Sequence, residues 1–131
     1  MTTSYNQTEI LKEFRKHLVS FLDELIEQFP QEGDIVVFRL FVTNQMPIKT
    51  YLDKFCLELN NNNFSSRQKI AERDDKYFLD IPISNDTENF FRLPYLRKLW
   101  TSPNLDFDDK EVIWKWLDLF VKLADKYQET K

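Results

Sequence analysis

The stretch DDKEVIWKWLDLFVKLADKY, residues 108–127, carries the clearest helical pattern in this chain. At about 100° per residue, its charged side chains from Glu111 onward fall within one arc of roughly 100°, and apolar side chains fill most of the rest. An ordinary surface helix needs an apolar stripe of little more than about 100°. The stretch therefore predicts a helix that lies in a groove between neighbouring helices, or that buries a second side against a partner.

The start of this helix is predicted from its capping residues. Asp108 is placed to act as the N-cap, with Glu111 three positions later as the second member of a capping box. Phe107 and Val112 occupy the positions of a hydrophobic staple, in which the residue before the N-cap packs on the fourth helical residue. These signals predict a helix that begins directly after Asp108.

Two of the three tryptophans of the chain lie in this stretch, at different places on the predicted helix. Trp116 falls in the middle of the apolar stripe, where a core position is expected. Trp114 falls at the far edge of the stripe, beside Val121. Because aromatic side chains dominate the energy of protein interfaces, we expect Trp114 and Val121 to contact a partner.

Three further segments carry helical signals. Residues 7–29 show apolar side chains at three- and four-residue steps after Asn6, which suits an N-cap. Pro47 suits the first position of another helix. A capping box that starts at Ser65 opens a helical segment over roughly residues 66–79.

The sequence of residues 34–44 is compatible with either a helix or a strand. Asp34 is able to cap a helix, and the run that follows is apolar except for Arg39, but its β-branched content also suits a buried strand. No partner strand is evident elsewhere in the sequence, so a helix is the preferred prediction. Pro94 is expected to split or kink a later helical segment, TENFFRLPYLRKLW at 87–100.

Composition narrows the class of protein. The chain has 131 residues, a length typical of one domain, and Gly33 is its only glycine. Phosphate-binding loops and dinucleotide-binding turns need several glycines for close backbone approach. A nucleotide-binding α/β enzyme is therefore not expected. The net charge of −4 also lacks the basic excess that is typical of nucleic-acid binders.

The sequence predicts an intracellular protein. Cys56 is the only cysteine, so no disulfide can form within the chain, as is usual in reducing compartments. The first residues, MTTSYNQTEI, lack the basic and apolar regions of a signal peptide. No apolar run reaches the length of a membrane span, and we expect no membrane association.

Residues with catalytic or metal-binding chemistry are few. His17 and Cys56 are the only histidine and cysteine, which is too few for a typical zinc site. They could form a nucleophile–base pair, but a half-buried structural histidine and an inert core thiol are preferred. Arg73, Asp74 and Asp75 could serve acid–base or metal chemistry, but a solvated helix face is the preferred interpretation.

One segment, RLPYLRKLW at 92–100, combines positive and aromatic side chains. The residues concerned are Arg92, Tyr95, Arg97, Lys98 and Trp100. Three positive charges are fewer than specific nucleic-acid binders usually place on phosphates. We therefore expect this segment to contribute to a protein contact, with nucleic-acid binding as the alternative.

Two stretches resemble a group of viral proteins. RDDKYFL (73–79) and DDKEVIWKWLDLFVKLADKYQ (108–128) look like the second half of small helical proteins of unknown function from nucleocytoplasmic large DNA viruses. In those proteins an Arg-Asp segment followed by aromatics precedes an acidic-capped, Trp-rich last helix. The resemblance covers residues 66–128. It implies a viral origin, with a role in the virion or as an interaction factor in the host cytoplasm.

Together these observations predict an all-α protein, a compact single-domain bundle of about five to seven helices that spans residues 1–131. We expect no catalysis, no cofactor and no metal, and a function in binding a protein partner or in self-association. The alternative is a nucleic-acid-associated accessory protein that uses residues 92–100. The predicted contact residues are Trp114, Val121, Arg92, Tyr95, Arg97, Lys98 and Trp100.

Overall fold

The structure is a computed structural model and describes residues 6–60, 66–79 and 98–131. Every regular element within these ranges is helical, which confirms the predicted all-α fold. Residues 98–100 form one helical turn. The other helices are α1 (Gln7–Gln28), α2 (Gly33–Asn44), α3 (Ile48–Leu59), α4 (Ser66–Ala71), α5 (Lys76–Leu79) and α6 (Phe107–Glu129).

The two long helices, α1 and α6, form the centre of the bundle. α1 packs against α2, α3 and α6, and α6 also packs against α3 and α4. Phe14 of α1 is fully buried. The centroid of its ring lies 5.4 Å from that of Phe120 in α6 and 6.3 Å from that of Phe55 in α3. Because aromatic pairs at this spacing contribute beyond their buried area, Phe14 joins three helices at one point.

α1 confirms the prediction for residues 7–29 to within one residue. The side chain of Asn6 accepts a hydrogen bond from the backbone N–H of Glu9 at 2.8 Å. This N-cap satisfies one of the amide groups that a first helical turn leaves without a partner. The buried residues recur every three or four positions and so lie on one face. They are Ile10, Phe14, Leu18, Phe21, Leu22 and Leu25.

Residues 33–44 are helical, so the strand alternative is wrong. The N-cap of α2 is Glu32, which makes no side-chain capping bond, and Asp34 lies in the first turn instead of capping it. An acidic side chain in a first turn still interacts favourably with the positive end of the helix dipole. α3 begins at Ile48, with Pro47 at the N-cap position.

The segment predicted as one helix over residues 66–79 is broken in two. Arg73 has a φ of 56°, in the left-handed region that ends many helices. Its backbone N–H donates to the carbonyl of Ile70 at 3.2 Å. The backbone N–H of Asp74 donates to the carbonyl of Lys69 at 2.8 Å, which completes a Schellman motif. Glycine usually occupies this position, and the arginine there explains why the sequence pattern did not reveal the break.

α6 begins before its predicted start. Asp106 is the N-cap, and its side chain accepts from the backbone N–H of Asp109 at 2.8 Å. The side chain of Asp109 accepts in turn from the backbone N–H of Asp106 at 3.1 Å. The predicted capping box at Asp108 and Glu111 has the same spacing. The helix begins with the earlier box, at Asp106 and Asp109. Phe107 therefore lies in the first turn, 79 % exposed, and does not form the predicted staple.

Candidate protein-interaction surface

The structure reverses the burial that the sequence predicts for the two tryptophans of α6. Trp114 is 3 % exposed and belongs to the core, whereas Trp116 is only partly buried. The rings of Phe78 and Trp100 cover Trp114, at centroid distances of 5.1 Å and 5.2 Å. These covering residues come from other segments of the chain, which the pattern of α6 alone does not reveal. Trp114 is therefore a core residue and not a surface anchor.

Trp100 is the second predicted contact residue that the structure buries. It is 3 % exposed, and its ring stacks on Phe78 at a centroid distance of 4.2 Å. Its Nε1 donates a hydrogen bond to Asp75 at 3.0 Å. A buried indole N–H needs such a partner. Asp75 is itself exposed, and it supplies the acceptor that this indole N–H needs.

Trp116 lies at the boundary between the core and the surface. Its Nε1 donates to the carboxylate of Glu24 in α1 at 2.6 Å, and its ring stacks on Phe120 at a centroid distance of 6.1 Å. Val121 is also partly buried and packs against the core. Val121 therefore presents little apolar surface to a partner.

Arg92, Tyr95 and Arg97 of the predicted contact segment lie outside the described residues, as do Ser65 and Pro94. Lys98 is exposed, and its ammonium donates to the carboxylate of Glu32 at 3.1 Å. This pair holds the start of the last described segment next to the start of α2. Lys98, which lies in the described part of the predicted contact segment, therefore already has a carboxylate partner.

The charged cluster at residues 73–75 has structural partners. Arg73 forms a bidentate pair with Asp118 of α6, at 2.9 Å and 2.7 Å, and its guanidinium lies 6.0 Å from the ring centre of Trp114. The hydrogen bond to Asp118 is the main reason that the pKa of Arg73 is raised. Asp74 accepts from the backbone N–H of Lys76 at 3.0 Å. No cluster of potential metal ligands occurs within the described ranges.

His17 and Cys56 have separate partners. The Nε2 atom of His17, which is half-buried as predicted, lies 3.1 Å from the carboxylate of Glu13. Cys56 is a buried free thiol, and its Sγ lies 3.7 Å from the carbonyl oxygen of Ala124. Burial raises the pKa of this thiol. Since the thiolate is the nucleophile, Cys56 is a poor nucleophile at neutral pH.

A polar cluster joins α3 to the end of α6. The hydroxyl of Tyr127 donates to Asp53 at 2.5 Å and accepts from Lys49 at 3.2 Å, and Lys131 donates to Asp53 at 2.7 Å. Burial, with the bond to Asp53, raises the pKa of Tyr127. Burial alone would raise the pKa of Asp53, but the bonds from Lys131 and Tyr127 lower it below its ordinary value. The four groups satisfy one another and fasten the two helices together.

A groove of about 500 Å³ runs between α1 and α6. Its apolar residues are Ile10, Leu119 and Leu123, and its polar ones are Glu9, Lys12, Glu13, His17, Lys122 and Lys126. Because carboxylates and ammonium groups are mixed around this groove, it does not favour a ligand of one charge.

The outer side of α2 carries three of the six large hydrophobic residues that are exposed in the described ranges. α2 is apolar around most of its circumference, but only Ile35, Phe38 and Val42 are buried. Val36, Val37 and Leu40 are 39 %, 66 % and 53 % exposed. A helix that is apolar all round is normally covered all round. α2 packs chiefly on α1, which covers one side only.

We define the α2 outer face as Val36, Val37, Leu40 and Phe41, with Asp34 at the amino end and Asn44 and Gln45 at the carboxyl end. Most of these residues line a shallow depression of about 850 Å³. Asp34 is the only charged residue of the face, because Arg39 lies to one side and forms an ion pair with Asp23 of α1. Such a surface is suited to burying apolar area against another apolar surface.

A signal for this face is present in the sequence of α2. The run from Ile35 to Val42 is apolar except for Arg39. The apolar surface of this run is wider than the single apolar stripe that a helix packed on one neighbour needs. Most of the same excess in α6 is covered, with Val112 left 47 % exposed, whereas in α2 Val36, Val37 and Leu40 are all exposed.

No family model, curated protein or solved structure matches this chain. The role of the α2 outer face is therefore argued from the geometry and chemistry of this chain. None of the helices in the described ranges has the length and apolar content needed to cross a bilayer.

Proposed function

We propose that this chain is a non-catalytic interaction or assembly protein that binds a protein partner through the α2 outer face. The observation that carries the proposal is the exposure of Val37 and Leu40 together on one side of an apolar helix. Contiguous exposed apolar patches on folded domains commonly mark sites of interaction. Val36 and Phe41 extend the patch on either side.

The chemistry of the face favours an apolar helix as the contacting element. α2 is about 18 Å long, and Val37 and Leu40 form a ridge along it that can pack into the groove of a second helix. The apolar centre is flanked by polar residues, Asp34 at one end and Asn44 at the other. A core of apolar residues inside a polar rim is the usual anatomy of a protein interface.

The ionisable clusters support a binding role. The carboxylates of Asp53 and Asp75 hold Tyr127 and Trp100 in place, and Arg73 clamps α4 to α6. Each of these groups stabilises the bundle that presents α2. The predicted contacts at Trp114 and Trp100 are replaced in this proposal by the α2 outer face.

The test compares two matched variants. Leu40→Asp places a charge in the α2 outer face, and Leu57→Asp makes the same change at a 72 % exposed leucine on α3. A protein captured by the wild type is identified by mass spectrometry, purified and titrated against all three chains. We expect Leu57→Asp to bind like the wild type and Leu40→Asp to bind at least about tenfold more weakly. Equal affinity of the two variants would overturn the assignment of the surface.

The viral origin that the stretches 73–79 and 108–128 imply is part of the proposal. The chain would act as a virion component, or as an interaction factor in the cytoplasm of the infected cell. Quantitative mass spectrometry of purified virions and of infected cells separates these roles. Enrichment in virions supports the first role, and restriction to infected cells supports the second.

A further inference from the structure

We infer that the occupant of the α2 outer face is a second copy of this chain, held in an antiparallel, two-fold pair of α2 helices. The inference rests on the proposed function, because it names the partner at the same surface. It is carried by the charge distribution of the face, by the spacing of its apolar residues and by Gly33.

The polar groups of the face favour antiparallel self-pairing. Asp34 provides one negative charge at the amino end, and Asn44 and Gln45 provide amides at the carboxyl end. In an antiparallel pair, each Asp34 carboxylate lies opposite the amides of the second copy, whose N–H groups can donate to it. A parallel pair would bring the two Asp34 carboxylates together, and like charges across an interface disfavour it.

The same register brings the apolar residues together. When Asp34 lies opposite Asn44 of the second copy, Val37 lies level with Phe41 of that copy and next to its Leu40. Val37 and Leu40, the two most exposed apolar residues of the face, are then neighbours across the pair. The arrangement is isologous, and closed two-fold dimers of this kind are the commonest homo-oligomers.

Gly33 adds an independent feature at the amino end of the face. It is exposed, its φ is not positive, and a Cβ built on it meets no atom within 4 Å. Neither the backbone nor the packing of the described chain therefore requires the only glycine of the sequence at this position. Against a second helix, the missing side chain permits a closer approach of the two backbones.

The small area of the α2 outer face predicts that the two copies associate weakly. A single short helix per copy covers less than the roughly 800 Å² that each partner contributes to a standard interface. We expect a dissociation constant on the order of 100 µM. Each copy has a net charge of −4, so screening of the repulsion should strengthen the association as salt is added.

Sedimentation velocity of the purified full chain, from about 10 µM to about 1 mM, tests the inference. We expect a reversible monomer–dimer equilibrium for the wild type and for Leu57→Asp, and dimerisation at least about tenfold weaker for Leu40→Asp. A wild type that stays monomeric throughout would overturn the second copy as occupant. The proposed function would survive that result if Leu40→Asp still lost a captured partner. A dimer that Leu40→Asp leaves unchanged would also overturn the inference.

The orientation is tested by disulfide trapping with Asp34→Cys and Asn44→Cys. Under mild oxidation, an equimolar mixture of the two variants should cross-link between chains far more than either variant alone. Wild type gives the background, because Cys56 is buried. Efficient cross-linking of each variant with itself, and not with the other, would overturn the antiparallel arrangement.

Discussion

Trp114, Phe78 and Trp100 illustrate how burial is decided at the scale of single residues. The helical pattern places Trp114 correctly on α6, at the margin of its apolar stripe. A margin position is buried only if another segment covers it, and here the cover comes from Phe78 and Trp100. The pattern of one helix can therefore predict the face on which a residue lies, but not what packs against that face.

The loss of stability on replacing Trp114 with alanine tests whether its side chain is buried. Trp114→Ala removes a large side chain that is 3 % exposed, and we expect it to lower the free energy of unfolding by about 3–5 kcal/mol. Trp116→Ala, at a partly exposed position, should cost clearly less. Urea unfolding followed by circular dichroism compares the two. A larger loss for Trp116→Ala would contradict the assignment of Trp114 to the core.

Cys56 gives a second prediction for a single side chain. It is buried, and burial raises the pKa of its thiol, so little reactive thiolate is present or accessible at neutral pH. We expect iodoacetamide to alkylate Cys56 much more slowly in the native protein than in urea. Mass spectrometry of timed samples measures both rates. Equal rates would show that the thiol is accessible in the folded chain.

The helices themselves were predicted with unequal success, for reasons found in their ends. α1 has one clear N-cap, and its predicted start is correct. The start of α6 was misplaced because Asp106 and Asp108 both begin boxes of the same spacing. The break after α4 was missed because Arg73, and not a glycine, takes the left-handed conformation. Helix interiors follow from periodicity, whereas helix ends depend on which of several competing hydrogen bonds forms.

The break between α4 and α5 predicts an unusual order of stability for two variants of Arg73. Both Arg73→Ala and Arg73→Gly lose the pair with Asp118. Only glycine adopts a φ of 56° without strain, so we expect Arg73→Gly to be more stable than Arg73→Ala by about 1 kcal/mol. In an ordinary helical position alanine would be the more stable. Urea unfolding of both variants decides the order.

At the scale of the whole molecule, the all-α architecture followed from composition and periodicity, but the exposed apolar surface did not. Exposure is a property of the assembled bundle: α1 covers one side of α2, and Val37 on the other side is 66 % exposed. Side-chain chemistry alone favours Trp114 and Trp100 as contact residues, but the fold places both inside the core. The α2 outer face can be identified only from the way in which the helices pack.

The cluster that joins α3 to α6 predicts how the stability of the whole fold depends on pH. The pKa of Asp53 is lowered in the folded state, so its contribution is present above the ordinary carboxyl pKa of about 4 and is lost as pH falls through the folded value. We expect the free energy of unfolding to fall less steeply below about pH 5 in Asp53→Asn than in the wild type. Urea unfolding at several pH values measures the slopes. Glu27→Gln, at an exposed acid on α1, is the matched control for the loss of one carboxylate.

The contact between Trp100 and Trp114 has an optical consequence. The two indole rings lie 5.2 Å apart at an interplanar angle of 77°, close enough for their electronic transitions to couple. Coupled indoles produce a split band in the far-ultraviolet dichroism that a separated pair lacks. One ring comes from α6 and the other from the segment that precedes it, so the split band reports their docking independently of helix content. The native chain thus contains its own spectroscopic probe of tertiary assembly, and it needs no attached dye.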